Sequence, residues 1–411
     1  MNLFYSFFLV LSLWSCGLGN SNEQSDQNFS SSYQEKSNVG INENIDSTIY
    51  PGAENVSFYL EHLKDKKVAI VGNHTSQVSG VHLVDTLMSL GVKVVKVFAP
   101  EHGFRGKEDA GKSISNNIDQ KTGLPIFSLY GKYKKPTKEQ LSGVDVLVFD
   151  IQDVGVRFYT YISTLHYVME ACAENKVKLI VLDRPNPNAH YVDGPVLEKT
   201  YSSFVGMHPV PIIYGMTIGE YARMINGERW LKGGIQCNLE IIKNKNYNHQ
   251  SVYHVPIPPS PNLKSDQAIA LYPSLCLFEG TTVSVGRGTN SPFEHFGHPK
   301  FPKQNYKFKP QSIDGASNPL HKNIWCYGFD LSGIQRDSIL QFNLDYLIEA
   351  RTLLKSTNSF INRRDFFNKL AGNKTLGDQL LSGLSESEIR ASWQSDLENF
   401  KKIRAKYLIY D

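Results

Sequence analysis

From residue 66 onward the chain alternates between two hydrophobic rhythms. KKVAIVGN at 66–73, VKVVKVFAP at 92–100, VDVLVFDIQD at 144–153 and VKLIVLDRPNP at 177–187 are short, nearly continuous apolar runs rich in β-branched residues. That pattern predicts strands buried on both faces. Between them, VHLVDTLMSLGV at 81–92 and TLHYVMEACAENK at 164–176 carry apolar groups at helical spacing, the first closing on a glycine. Strand and helix in alternation predict an α/β fold with a Rossmann-like, mostly parallel sheet. PVPIIYG at 209–215 reads as a further strand. A helix over 216–232 follows, with Thr217 as N-cap and Glu220 placed for a capping box, and then a strand over 237–243.

The proline-rich VPIPPSPNL at 255–263 is the clearest change in composition. Proline removes donors and restricts its predecessor, so this run predicts a rigid crossover or cleft wall, not another central strand. It divides a Rossmann-like catalytic domain at 48–262 from a smaller mixed α+β domain at 263–411, whose tail is mostly helical by spacing.

Each predicted strand ends in polar residues: VGNHTS, APEHG, DIQDVGVR and LDRPNP. In open α/β sheets such ends gather at the carboxyl edge, where ligands bind. Glu101 follows a core-like strand across a proline and is the best candidate for delivering a proton. Asp150, Asp153, Asp183 and Glu279 are candidates for a second carboxylate. Asn73, His74, His102 and Asn186 add polar groups at these ends, and either histidine can hold a sugar hydroxyl or tune Glu101. Arg105 stands in the same loop as Glu101. Arg157, Arg184 and Arg287 have the planar guanidinium that grips a carboxylate, although Asp153 and Asp183 are ready partners for the first two. Tyr159 and Tyr161 share one face of an extended piece, opposite Phe158.

Charge narrows the classes of partner. With 43 basic and 40 acidic side chains the net charge is +3, which gives no broad basic surface for nucleic acid. No cofactor is expected, because neither G-x-G-x-x-G after the first strand nor G-x-x-x-x-G-K-[ST] occurs. His295 and His298 in HFGHP make a poor zinc signal without a third ligand, and no G-x-S-x-G elbow is present. The five cysteines lack any C-x-x-C arrangement, and Cys172 and Cys276 read as small buried hydrophobes. Cys16 is different: LFYSFFLVLSLW at 3–14, too short to favour a spanning helix, runs into S-C-G. This predicts a lipoprotein-type signal over 1–16 with lipid on Cys16. Residues 17–47, rich in Asn, Ser, Glu and Gln, then read as a flexible tether, placing the folded part in the cell envelope with the membrane touched only through the lipid.

VGNHTSQ, FAPEHGFRG, DIQDVGVRFYTY, LDRPNP, PSPNL, LYPSLCLFEGTTVSVGRGT and the terminal YLIY, in that order, closely resemble the exo-β-N-acetylmuramidase (NamZ-like) family, long catalogued as a domain of unknown function. The resemblance covers about residues 50–411. It implies hydrolytic release of non-reducing-end N-acetylmuramic acid from a muropeptide or a muramyl-glucosaminyl disaccharide, in a cleft between the two domains. The family's EHG glutamate falls on Glu101 and the histidine of its NHTS motif on His74. A tethered protein that binds cell-wall fragments without turnover, and a hydrolase of glycan amides or esters, are the alternatives.

Overall fold

The sheet begins where the apolar rhythm does. Its elements are β1 (Lys67–Gly72), a small hairpin of β2 (Gln77–Val78) and β3 (Val81–His82), β4 (Lys93–Ala99), β5 (Asn117–Ile118), β6 (Pro125–Ser128), β7 (Val146–Asp150), β8 (Lys178–Leu182) and β9 (Leu239–Ile242). In this computed structural model, residues 47–411 are described apart from 102, 106–116, 304 and 355–359. The signal segment with Cys16, residues 17–46 of the tether, and His102 therefore lie outside the described residues.

Seven strands pair in the order β5-β6-β4-β1-β7-β8-β9, all parallel except β5 against β6. Side-chain alternation explains why the apolar runs are continuous. Ala69, Val71, Leu147, Phe149, Leu179 and Val181 enter one core, while Val68, Ile70, Val146, Val148, Ile180 and Leu182 enter another on the opposite face. Helices α1 (Val56–Leu63) and α2 (Leu83–Ser89) cover the second face through Tyr59, Leu63, Leu83 and Leu87. The first face lies under α4 (Tyr161–Asn175) and α5 (Ile218–Gly227), with the short α3 (Lys138–Leu141) beside α4. Thr217 caps α5 in a full capping box with Glu220, as its sequence predicts.

Two expectations need correction. PVPIIYG forms no strand; Ile213 makes only isolated bridges to Val156 and Asp193, because Pro209 and Pro211 lack the donors a ladder requires. The helix expected to reach residue 232 ends at Gly227, and Arg229 takes a left-handed φ of 54°.

The chain then runs through the proline-rich wall into α6 (Asp266–Leu275) and a three-stranded antiparallel sheet in the order β10-β12-β11. These strands are β10 (His295–His298), β11 (Lys307–Phe308) and β12 (Cys326–Asp330). Short helices between Asp345 and Arg404 complete the chain. Their apolar faces continue the α4/α5 core, reaching Leu370, Trp393 and Phe400.

Candidate active site

Glu101 leaves β4 across Pro100 and stands half-buried at the carboxyl edge of the sheet. β4 lies on one side of β1 and β7 on the other, so the loops after these strands diverge and open a crevice. Thr160 occupies the N-cap position of α4 but makes no side-chain cap; its hydroxyl donates instead to Glu101 Oε2 at 3.2 Å. The Tyr130 hydroxyl also hydrogen-bonds Glu101. Burial first, and the Glu101 charge second, push the Tyr130 and Tyr161 hydroxyls above their ordinary range.

A cleft of about 430 Å³, its open mouth included, is lined by Glu101, Phe158, Tyr159, Thr160, Tyr161, Ser260, Asn262, Leu263, Tyr272, Arg287 and Phe293. The proline-rich run builds one wall. Its carbonyl groups, released from any sheet, accept from the opposite side: Pro258 O from His74 Nε2 at 2.8 Å, and Pro259 O from Tyr159 at 2.8 Å and Tyr161 at 3.5 Å. Edge-to-face packing of Tyr159 on Tyr161 and of Tyr272 on Phe158 and Phe293 gives the cleft a stiff aromatic floor.

Arg287 reaches this cleft from the loop after Val285. Its Nε donates to Glu279 Oε1 at 2.5 Å and its guanidinium stacks 5.1 Å from the Phe293 ring centre, with the side chain 30% exposed. Glu279 engages the Nε edge, so the terminal nitrogens can meet a second planar anion. Glu279 is thus brought beside the cleft as the partner of Arg287, without lining it.

The remaining candidates fall into the supporting structure. Asp150, fully buried, accepts Arg184 Nε at 2.6 Å and Nη2 at 2.9 Å, so the two charges satisfy each other beneath the strand ends. Arg157, also fully buried, donates to the carbonyl oxygens of Pro195, Val210 and Leu370, which removes it as a ligand for a substrate carboxylate; burial lowers its pKa to about 9. Gly372 makes room for it: at φ 81°, an added Cβ would come within 2.7 Å of Arg157 Nη2. Asp183, held near pKa 7 by burial, accepts from Thr217, Tyr410 and Gly219 N–H and ties the C-terminal tail to β8. Arg105 is clamped by Asp119 at 2.7 Å and Asp85 at 3.4 Å.

Asn186 accepts from Asn188 N–H and donates to Met216 O, cross-bracing two loops. Gly155, with φ 73°, packs where a Cβ would overlap its amide. Asn73 donates to the Tyr161 hydroxyl at 2.9 Å and supports the cleft from behind. Asp153, raised to about pKa 6 by burial, accepts from Tyr214 and from Gly155 N–H at 2.8 Å; its Oδ1 is buried with no protein partner among the described residues. Of the four candidates for a second carboxylate, none lines the cleft. Thr160, Ser260, Asn262 and Tyr272 do, and were not anticipated as site residues. Ser260 and Asn262 stand in PSPNL, which the sequence marked as a wall and as one of the motifs of the resemblance but not as a source of site residues.

An open, mostly parallel sheet with one acid and one guanidinium lining an aromatic crevice at its carboxyl edge defines an α/β protein with a polar pocket of the kind hydrolases use. Family models described as exo-β-N-acetylmuramidase NamZ match the chain over residues 68–267 for the N-terminal part and 270–410 for the C-terminal part. The chain is 38% identical over 374 residues to the peptidoglycan β-N-acetylmuramidase NamZ of Bacillus subtilis (strain 168), covering 86% of this chain and 89% of that protein. Two crystal structures of DUF1343 family proteins from Bacteroides fragilis NCTC 9343 share the fold. One matches with TM-score 0.82 and 48% identity over 89% of this chain and 99% of the other, the second with 0.78 and 30% over 88% and 99%. The chain belongs to the exo-β-N-acetylmuramidase NamZ family and is a glycosidase of that exo-acting kind.

Proposed function

We propose that this chain releases N-acetylmuramic acid from the non-reducing end of peptidoglycan fragments, with Glu101 delivering the proton and Arg287 receiving the lactyl carboxylate. The observation that carries the reading is that Glu101 and Arg287 line one cleft. A glycosidic oxygen is a poor leaving group until it is protonated, and a positioned carboxylic acid supplies that proton. N-acetylmuramic acid differs from N-acetylglucosamine by its lactyl ether, so a guanidinium in the sugar site is the group that distinguishes them. Residues 263–411 form the closing side of an exo-acting site, because Arg287 and Phe293 come from that part of the chain.

The test is E101Q assayed by mass spectrometry on a muramyl-glucosaminyl disaccharide. Loss of free N-acetylmuramic acid with retained folding and disaccharide binding supports the assignment, and undiminished release defeats it. With the unsubstituted chain the product also separates the alternatives: intact ligand means binding alone, and a deacylated sugar means amide or ester hydrolysis.

We also infer that Cys16 carries lipid and holds the protein at the cell envelope. C16A is then expected to move from the membrane fraction to the soluble fraction, and unchanged fractionation would remove the anchor from the account.

A further inference from the structure

The three-stranded sheet ends on β11, which among the described residues pairs only with β12. Alternation sends Phe308 and Cys326 inward, where both are buried, and Lys307 and Trp325 outward. Trp325 keeps 47% of its surface exposed, whereas Trp393 is buried in the core. Lys307 Nζ stands 4.8 Å and Lys309 Nζ 5.8 Å from the centre of the Trp325 ring. Residues 299–325 carry five lysines (300, 303, 307, 309 and 322) against one aspartate, Asp314, although the whole chain is nearly balanced at 43 to 40. Positive charge is therefore concentrated in this segment, with Lys307 and Lys309 at the exposed indole.

This face is continuous with the rim of the cleft. Gln311 N–H donates to Gly288 O at 2.8 Å, next to Arg287, and Asn262 Nδ2 donates to Gly315 O at 2.9 Å. Arg287 and Asn262 both line the cleft, so the segment from Lys309 to Trp325 has both ends on the basic, aromatic face and touches the cleft edge between them, at Gln311 and Gly315.

We infer that Lys307, Lys309 and Trp325 form an accessory subsite for the part of a peptide-free peptidoglycan glycan strand that extends out of the cleft. The inference rests on the substrate class proposed above. Such a strand bears a lactyl carboxylate on every second sugar. It offers flat apolar sugar faces to the indole and anions to the two ammonium groups, which matches both the shape and the sign of this face. An exo-acting enzyme holds only the terminal sugar at its acid, so a grip on the following sugars adds affinity for a strand over a disaccharide.

The test is calorimetric titration of the full chain carrying E101Q, which prevents turnover, with the disaccharide and with peptide-free strands of defined length. The longer strands are expected to bind more tightly than the disaccharide. Adding W325A is expected to weaken strand binding about tenfold while disaccharide affinity stays the same. K307E/K309E is expected to do likewise with a reduced salt dependence, and W325F is expected to retain most of the effect. Circular dichroism checks that each variant is folded. Equal affinity for strand and disaccharide, or a length preference that survives both variants, overturns the subsite. Binding to phosphatidylglycerol vesicles that W325A abolishes, with no change in strand binding, also overturns it and gives the face to a membrane surface. If the unsubstituted chain releases no N-acetylmuramic acid, the proposed reaction fails, while the titration still decides whether the face binds strands.

Discussion

Thr160 stands at the N-cap of α4, yet its hydroxyl donates to Glu101 Oε2 at 3.2 Å instead of capping the helix. The acid is thereby oriented by a fifteen-residue helix whose body is packed in the core, and not only by the turn that carries it. T160V keeps the shape of the side chain and removes the donor. A hydrogen bond to the carboxylate that forms as Glu101 gives up its proton contributes about 1.5–3 kcal/mol, so kcat is expected to fall roughly tenfold to a hundredfold with little change in KM. A rise in KM at constant kcat would assign Thr160 to substrate binding instead.

Arg287 is the one arginine of the three sequence candidates that lines the cleft; Arg157 is bound to backbone carbonyls and Arg184 to Asp150. R287K retains a charge but cannot present two parallel donors. It is expected to raise KM about tenfold for a muramyl substrate while leaving kcat/KM for a matched substrate without the lactyl group unchanged. Comparing kcat/KM on the two substrates checks this. An equal loss on both would mean that Arg287 supports the fold of the loop and does not read the carboxylate.

Asp150 and Arg184 form a sealed, bidentate pair, so their replacement acts on stability first. D150A leaves a buried guanidinium without its counter-charge and is expected to cost about 3–5 kcal/mol of unfolding free energy. The denaturant midpoint, measured on protein purified at low temperature, reports it. Wild-type stability combined with abolished turnover would restore Asp150 as a catalytic candidate.

The mostly parallel sheet and the polar strand ends at its carboxyl edge were legible because the apolar runs of β1, β4, β7 and β8 admit few other structures, and each ends in polar residues; the order of the strands was not. What the sequence could not separate was a strand-end charge facing substrate from one facing another strand end. Glu101 and Asp150 follow equally apolar strands, but only a three-dimensional neighbour, Arg184 for one and Thr160 for the other, tells them apart. The same holds for PVPIIYG, where β-branched residues suggested a strand and two prolines prevented one. Cleft residues Ser260 and Asn262 were hidden because a proline-rich wall has no periodicity to show which side chains face inward.

His82 links the NHTS loop to the first turn of α2, and it does so only as a neutral ring. Its Nε2 donates to Asn73 O at 3.0 Å while Nδ1 accepts from Val84 N–H at 3.3 Å, so a second proton would remove the acceptor that caps the helix. Burial first, and the nearby Arg105 second, lower its pKa to about 4. The unfolded chain takes up this proton near pH 6.5, so between the two values it binds more protons than the folded one. The contribution of His82 to stability is therefore complete above about pH 6.5, lost progressively as pH falls, and flat below about pH 4, with a total of about 3 kcal/mol. H82N keeps a cap acceptor that does not titrate and is expected to flatten this part of the curve in denaturant midpoints measured from pH 4 to pH 8. Because Asn73 also holds Tyr161 against the cleft, the same acid titration is expected to broaden the Tyr161 environment in wild type but not in H82N. Parallel pH curves for the two proteins would show that His82 takes up its proton at the same pH in the folded and unfolded chain, so that burial does not hold the ring neutral.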